Sequence, residues 1–281
     1  MKEFAFQDIS KYRSSLMGIA TLMIIMCHAP ASNVLLPSAL GRIMTVGNYG
    51  VDIFLFLSGL GCYYSLSKRP RYKDFVKKRG VRLFAPYLLI TIPFIIFYLV
   101  MGEYNVKDAL LSLTTFDYWV YHKGAWFVAL LVPLYLISPL LYKLLDGRYK
   151  YLNLITLIAA IVVLCSVNTE RYACHEILRN IQFALQRVPS FLIGMVIGAL
   201  CKSQKTIGLG KLAGCLLGGV ILFVSSTYVS DGAFIGWLIV PTMVVLLIGG
   251  LKLIPVLQRP LEKLGMISLE SYLTNTSINK L

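Results

Sequence analysis

Residues 126–145 read WFVALLVPLYLISPLLYKLL, twenty residues with a single charge, Lys143. An α-helix rises about 1.5 Å per residue, so this stretch reaches roughly 30 Å, the thickness of the hydrocarbon layer of a bilayer. A membrane barrel would show short alternating segments instead. We therefore interpret residues 126–145 as a membrane-spanning helix.

The same pattern recurs along the chain. Hydrophobic residues make up 57% of its 281 residues and charged residues 14%, and the mean hydropathy is +0.73, outside the range of soluble domains. The predicted fold is all-α, a polytopic transmembrane helical bundle of about eight or nine spans in one integral-membrane domain over residues 1–281. The other spans are predicted at residues 16–31, 50–66, 84–101, 151–167, 181–200, 209–227 and 234–251, with a shorter, more polar one from residue 264 onward.

Basic residues alternate between the two sets of loops. The amino-terminal tail, residues 68–82 and three later loops hold 20 of the 27 lysines and arginines, and the opposite loops hold five. The positive-inside rule predicts a cytoplasmic amino terminus. The expected location is a bacterial inner membrane. It also accounts for the net charge of +14 without nucleic acid, so membrane lipid is the expected partner of these segments.

Two ionisable residues lie at similar depth in the predicted spans. His28 falls in the outer half of the first span, and Asp52 begins the second span from the same side. A carboxylate can orient an imidazole that acts as a general base, so the pair predicts a catalytic site. Two alternatives stay open: a neutral imidazole bonded to a neighbouring helix, and an aspartate favoured by the helix dipole.

Arg79 and Arg82 stand at the cytoplasmic mouth of the third span, before Pro86. Forked guanidinium groups suit phosphate binding, although most charges of residues 68–82 are explained by topology or anionic lipid. Trp126 is either an interface anchor or a site residue.

Four segments in order resemble the acyltransferase-3 family of membrane O-acyltransferases, whose members acetylate lipopolysaccharide, Nod factors and other envelope sugars. The resemblance covers nearly the whole chain. Its segments are RSSLMGIATLMIIMCHA (13–29), GVDIFLFLSGL (50–60), KKRGVRLFAPYL (77–88) and GAWFVALLVPLYLISPLL (124–141). The closing LGMISLESYLTN (264–275) is similar to the last motif of the family.

The resemblance implies roles for particular residues. His28 becomes the catalytic base, and Arg79 and Arg82, with Arg13, become the groups that bind a cytoplasmic acyl-CoA. Acetyl-CoA is the expected co-substrate, and the acceptor is an envelope glycan or lipid-linked sugar; no permanently bound cofactor and no metal are expected. The remaining site predictions are His122 and Trp126 on the acceptor side and the motif residues Ser58, Gly59, Tyr87, Glu270 and Asn275.

Two departures from the family pattern stand out. Met17 occupies the position where many members have an arginine, and Arg13 lies one helical turn earlier. Asn275 stands where a histidine is common, and the chain stops at Leu281, where relatives usually run on, as in a shortened member.

Two other functions remain open. Buried His28, Asp52 and Arg187 could form the relay of a transporter for a small solute or of a proton-coupled exporter. A non-catalytic relative would bind a glycan or partner without turnover.

Overall fold

The structure, a computed structural model, describes residues 3–28, 44, 46–229 and 236–278. Short 3₁₀ turns at Val46–Asn48 and Pro255–Leu257 and two strands accompany the α-helices. In chain order the elements are β1 Glu3–Ala5, α1 Gln7–Lys11, α2 Arg13–His28, α3 Tyr49–Leu66, α4 Tyr72–Val100, α5 Val106–Leu113, α6 Phe116–Tyr121, α7 Trp126–Leu145, α8 Lys150–Cys165, α9 His175–Leu185, α10 Val188–Lys202, β2 Thr206–Gly208, α11 Leu209–Val229, α12 Gly236–Leu253, α13 Gln258–Met266 and α14 Ser268–Ile278.

The predicted helical membrane bundle is present. Within the described residues, five helical segments are long and apolar enough to cross a membrane: Val46–Leu66, Tyr72–Val100, Trp126–Leu145, His175–Lys202 and Gly236–Leu253. The first comprises a 3₁₀ turn and α3, and the fourth comprises α9 and α10. Shorter apolar helices cover Arg13–His28, Lys150–Cys165 and Leu209–Ser225. A total of eight or nine spans stays a prediction, and residues 29–31 and 234–235 of two predicted spans lie outside the described residues.

Three element boundaries differ from the predicted ones. The third span was predicted to start at residue 84, but α4 already begins at Tyr72, because lysine and arginine are good helix formers and carry the helix past the apolar stretch. The sixth span is divided between α9 and α10 around Arg187, with Pro189 in the first turn of α10. The closing segment turns at Ile267 and forms two helices, α13 and α14.

The core is organised around α3, whose side chains are nearly all buried. Two glycines allow α3 and α10 to touch: a Cβ on Gly59 would collide with the carbonyl of Phe191, and one on Gly194 with the carbonyl of Phe56. Small residues at such crossings let helices pack closely in lipid. This contact fixes the depth of every polar residue that α3 carries.

The helices α13 and α14 return to α2 at the end of the chain. Gly265 lies against the carbonyl of Ser14, and Gly18 against that of Leu261, which joins α13 to the first turns of α2. After the turn at Ile267, α14 follows α2 toward its other end. The last motif is thereby placed beside the first.

Segments with predicted cytoplasmic positions contact one another. The strand β1 pairs antiparallel with β2, with Phe4 opposite Ile207, and Nζ of Lys252 lies 2.6 Å from a carboxylate oxygen of Asp8. These contacts place the amino-terminal tail and two later basic segments on one face of the bundle.

Candidate active site

His28 is the last residue of α2, and its imidazole meets α14. The amide Nδ2 of Asn275 lies 2.7 Å from Nδ1 of His28, and both side chains are half-buried. An imidazole held at one ring nitrogen has a defined orientation and tautomer. The pair supplies what a general base needs, a fixed ring within the bundle.

The Asn275 amide determines which ring nitrogen is basic. In the arrangement present, an amide N–H donates to Nδ1, so the proton of neutral His28 lies on Nε2. If the amide is turned over, its oxygen accepts Nδ1–H and the lone pair lies on Nε2. Both arrangements fit the same contact, and the second makes Nε2 the base.

Asp52 lies in the first turn of α3 but does not pair with His28. Its carboxylate is fully buried, forms an ion pair with Arg187, and accepts a hydrogen bond from the Ser190 hydroxyl at 3.0 Å. Arg187 is 2% exposed. A buried charge is tolerated when it is paired, so this arrangement joins α3 to the break between α9 and α10. The expected support of His28 comes instead from Asn275.

The three predicted donor-binding arginines converge on one cavity. Arg13, Arg79 and Arg82 line a space of about 730 Å³ between α2, α3, α4, α7 and α14, together with Ser58 and Glu270. The fold thus brings together predicted site residues up to 257 positions apart, from Arg13 to Glu270. Their roles as ligands of an acyl-CoA stay predictions.

Hydrogen bonds to helix carbonyls hold two of these arginines in place. Nε of Arg13 donates to the carbonyl of Leu57 at 3.3 Å, and Arg79 donates to the carbonyl of Gly61. The Arg79 guanidinium also lies 5.5 Å from the ring centre of Tyr135. Both groups keep further N–H donors for a ligand, since a guanidinium has five.

A second basic cavity adjoins the first. It encloses about 630 Å³, shares Arg79 and Arg82 with the first, and is also lined by Lys68 and Lys78. Four cationic side chains around one opening suit a ligand with several phosphate groups. The two cavities follow one another, a cationic one and one lined by both polar and apolar side chains.

An aromatic cluster ends the larger cavity on the side toward His28. The ring centres of Phe54 and Phe127 are 5.8 Å apart, and those of Phe127 and Tyr272 are 5.4 Å apart. Met17 is the last residue of α2 in the cavity lining, and His28 follows about 16 Å further along the helix. The three rings therefore lie at the end of the cavity nearer to the His28–Asn275 pair.

The motif residues divide into cavity and packing positions. Ser58 and Glu270 line the larger cavity, whereas Gly59 makes the α3–α10 contact described above. The Tyr87 hydroxyl donates to the carbonyl of Ser112 at 2.5 Å and ties α4 to α5. Gly59 thus has a structural explanation that needs no ligand.

The two acceptor-side residues meet through Phe183. Ring centres of His122 and Trp126 each lie 5.3 Å from that of Phe183 on α9. Nδ1 of His122 is 2.8 Å from Oδ1 of Asn180, whose amide N–H donates to the carbonyl of Trp119. That second bond orients the amide, so Nδ1–H of neutral His122 donates and Nε2 holds the lone pair. The sequence does not single out Phe183, near the start of the span predicted at residues 181–200, or Asn180, just before that span.

The apolar helices, with polar groups sheltered between them, define an integral membrane protein. A family model described as an acyltransferase domain matches residues 16–279. The chain belongs to this family of membrane acyltransferases, which confirms the resemblance found in its motifs. Neither the curated proteins nor the solved structures gave a match.

Proposed function

We propose that the protein moves an acetyl group from acetyl-CoA, bound at the cytoplasmic face, to a hydroxyl of an envelope polysaccharide or lipid-linked sugar in a bacterial inner membrane. The observation that carries this proposal is that the two ends of α2 lie in different surroundings. One end places Arg13 in a cavity with Arg79 and Arg82, and the other end places His28 against Asn275.

The cationic cavity is the proposed site of the nucleotide phosphates. Lys68, Lys78, Arg79 and Arg82 supply the charge that several phosphates need, and Arg79 and Arg82 reach into the larger cavity as well. The thioester arm would follow the same route past Arg13. Coenzyme A is the biological thioester carrier whose charge distribution, anionic at one end and neutral at the other, fits this succession.

Passage to His28 requires the aromatic cluster to open. Phe127 lies near the start of α7 and Tyr272 near the middle of α14, so a rotamer change of these two rings would connect the cavity with the groove between α2 and α14. Rings in such a position also keep water from the thioester until an acceptor is in place.

The proposed chemistry needs one base and one leaving group. His28 accepts the proton of the sugar hydroxyl while its oxygen attacks the thioester carbonyl carbon. The tetrahedral intermediate collapses with cleavage of the C–S bond, and the imidazolium returns the proton to the departing thiolate. The products are a sugar ester and free coenzyme A, and His28 is neutral again.

A direct test compares envelope polymers by mass spectrometry from cells with the wild-type protein, with His28→Ala and with neither. Wild-type cells should show an acetyl-sized mass increase that the variant lacks, because a positioned base contributes about 10² to 10⁴ in rate. Cys174→Ala, an exposed loop substitution, is the control. Undiminished acetylation by His28→Ala at equal membrane abundance would overturn the assignment.

The transporter alternative relies on a relay through Asp52. Its described partners, Arg187 and Ser190, join it to α10 and not to His28. Flux of a labelled solute without any acyl transfer would favour transport over the proposed reaction.

A further inference from the structure

Two polar cavities lie at the end of the bundle opposite the basic ones. The first encloses about 460 Å³ between the second half of α4, the start of α7 and α14, and the second about 440 Å³ between α5 and α6. Tyr104, Ser112 and Asp117 line both, so the two spaces adjoin. Spaces between the helices of a bundle are a common place for small-molecule sites.

The Tyr98 side chain lines the first cavity with an unused hydrogen-bonding group. Tyr98 is 8% exposed, and among the described residues its buried hydroxyl has no hydrogen-bond partner. Leaving such a group unpaired costs free energy, which a ligand hydroxyl in the cavity would recover. The Tyr98 ring also stacks on that of Tyr104, with 5.0 Å between the ring centres.

Asp117 is held in a fixed position at the junction of the cavities. One carboxylate oxygen accepts from the Ser112 hydroxyl at 3.0 Å and the other from the backbone N–H of Tyr118 at 2.9 Å. Gly124, in the left-handed region at φ +83°, leaves room for this carboxylate, which a Cβ there would strike. A carboxylate has about four lone-pair sites, so it can accept several hydrogen bonds at once.

The charge of these cavities is negative. Glu103, Asp108 and Asp117 line the second one, and Lys123 is the one cation among its described lining residues. Burial raises the pKa of the Tyr104 phenol, so this group stays protonated and able to donate. Carboxylates that accept from hydroxyls, beside aromatic rings that stack on an apolar ring face, suit a sugar. The same carboxylates repel an anionic one.

We propose that these two cavities bind the acceptor sugar, and that they select a neutral or amino sugar over one that carries a carboxylate. Tyr98 and Asp117 are the proposed binding residues. This inference rests on the proposed function, because it names the acceptor of that reaction. Leu273, on α14 like Asn275, lines the first cavity, so the bound sugar would lie beside the helix that holds the His28 pair.

The test measures binding without acetyl-CoA, which separates it from catalysis. Saturation-transfer NMR on the purified protein in nanodiscs would compare methyl glucoside, methyl glucosaminide and methyl glucuronide. We expect the first two to bind at least tenfold more tightly than the glucuronide. Equal or stronger binding of the glucuronide would overturn the inference.

Single substitutions test whether the sugar binds in these two cavities. Tyr98→Phe and Asp117→Asn should each weaken glucosaminide binding about tenfold. Asp117→Asn should also reduce the preference over glucuronide. Tyr172→Phe, on an exposed tyrosine that lines neither cavity, should leave binding unchanged. Unchanged binding in both Tyr98→Phe and Asp117→Asn would contradict this site, whereas intact binding without any transfer would contradict only the proposed reaction.

Discussion

At the scale of single residues, the account depends on the contact between His28 and Asn275. An imidazole at the end of α2 is useful as a base only if its ring is held, and the amide on α14 holds it at 2.7 Å. Asn275 does not itself touch the reacting atoms in this scheme. It acts as a positioning residue that holds the imidazole of His28 in place.

Replacement of Asn275 should therefore lower turnover more than substrate affinity. We expect Asn275→Ala to reduce kcat for acetyl transfer about tenfold, a fraction of the 10² to 10⁴ that a positioned base contributes, with little change in KM for acetyl-CoA. Asn275→His, which restores the residue common in the family pattern, should recover part of the loss. The exposed neighbour substitution Thr274→Ala is the control. Full kcat in Asn275→Ala would refute the positioning role.

Replacement of Asp52 should lower the stability of the fold. Asp52→Ala leaves the Arg187 charge buried and unpaired, which should cost about 3 to 5 kcal/mol in the free energy of unfolding. The double variant Asp52→Leu with Arg187→Leu should recover much of this, and Glu176→Ala, at an exposed acid, should change little. Thermal unfolding in detergent gives the measurement. Wild-type stability in Asp52→Ala, combined with loss of activity, would return Asp52 to the catalytic site.

The sequence predicts which residues are unusual but not how they pair. His28, Asp52 and Arg187 stand out because lipid tolerates ionisable groups poorly. Their partners lie 247 and 135 positions away, and no local periodicity encodes such distances. The prediction that Asp52 supports His28 used similar depth alone, whereas the direction of each side chain around its helix decides the contact.

At the scale of elements, α4 carries the basic segment of the chain into the membrane. It is 29 residues long, about 44 Å, so its basic first turns extend beyond the hydrocarbon layer. Arg79 and Arg82 project from this part into the cavities. Apolar residues define only the part of a helix that lipid surrounds, and hydropathy therefore missed the first three turns of α4.

Replacement of a single arginine on α4, Arg82, tests whether the basic cavities bind acetyl-CoA. Arg82→Gln should raise KM for acetyl-CoA about tenfold, with a smaller effect on kcat, because the lost charge-assisted hydrogen bond contributes to binding of the phosphates. Lys73→Gln removes an exposed charge of the same helix that lines neither cavity and should leave KM unchanged. If both variants behave alike, general surface charge accounts for the effect and the cavity does not.

Substitutions of two glycines, Gly59 on α3 and Gly80 on α4, test the close contact between α3 and α10. Gly59→Ala should destabilise the protein by about 1 to 3 kcal/mol, since the new Cβ meets the Phe191 carbonyl and pushes α3 from α10. Gly80→Ala, where no atom lies within 4 Å of the new Cβ, should be neutral or stabilise α4 by about 0.5 to 1 kcal/mol. Thermal unfolding distinguishes them, and equal melting temperatures would contradict the close crossing.

At the scale of the whole molecule, charge is divided between the two ends of the bundle. Cationic side chains, among them Arg79 and Arg82, line the cavities at the end that carries the amino terminus, and carboxylates such as Asp117 line those at the other end. Counts of lysine and arginine by loop predict the first group. The cavities at the other end are lined by residues between positions 87 and 125 and by Leu273, which only the tertiary fold brings together.

The most direct measurement of the central claim uses inverted membrane vesicles whose cytoplasmic face is outside. Acetyl-CoA labelled in its acetyl group is added outside, and the acceptor polysaccharide identified by mass spectrometry is enclosed within. The account predicts label on the enclosed acceptor with the wild-type protein and none with His28→Ala. Label on the enclosed acceptor that persists in His28→Ala, or acetylation only when donor and acceptor share the same side, would contradict it.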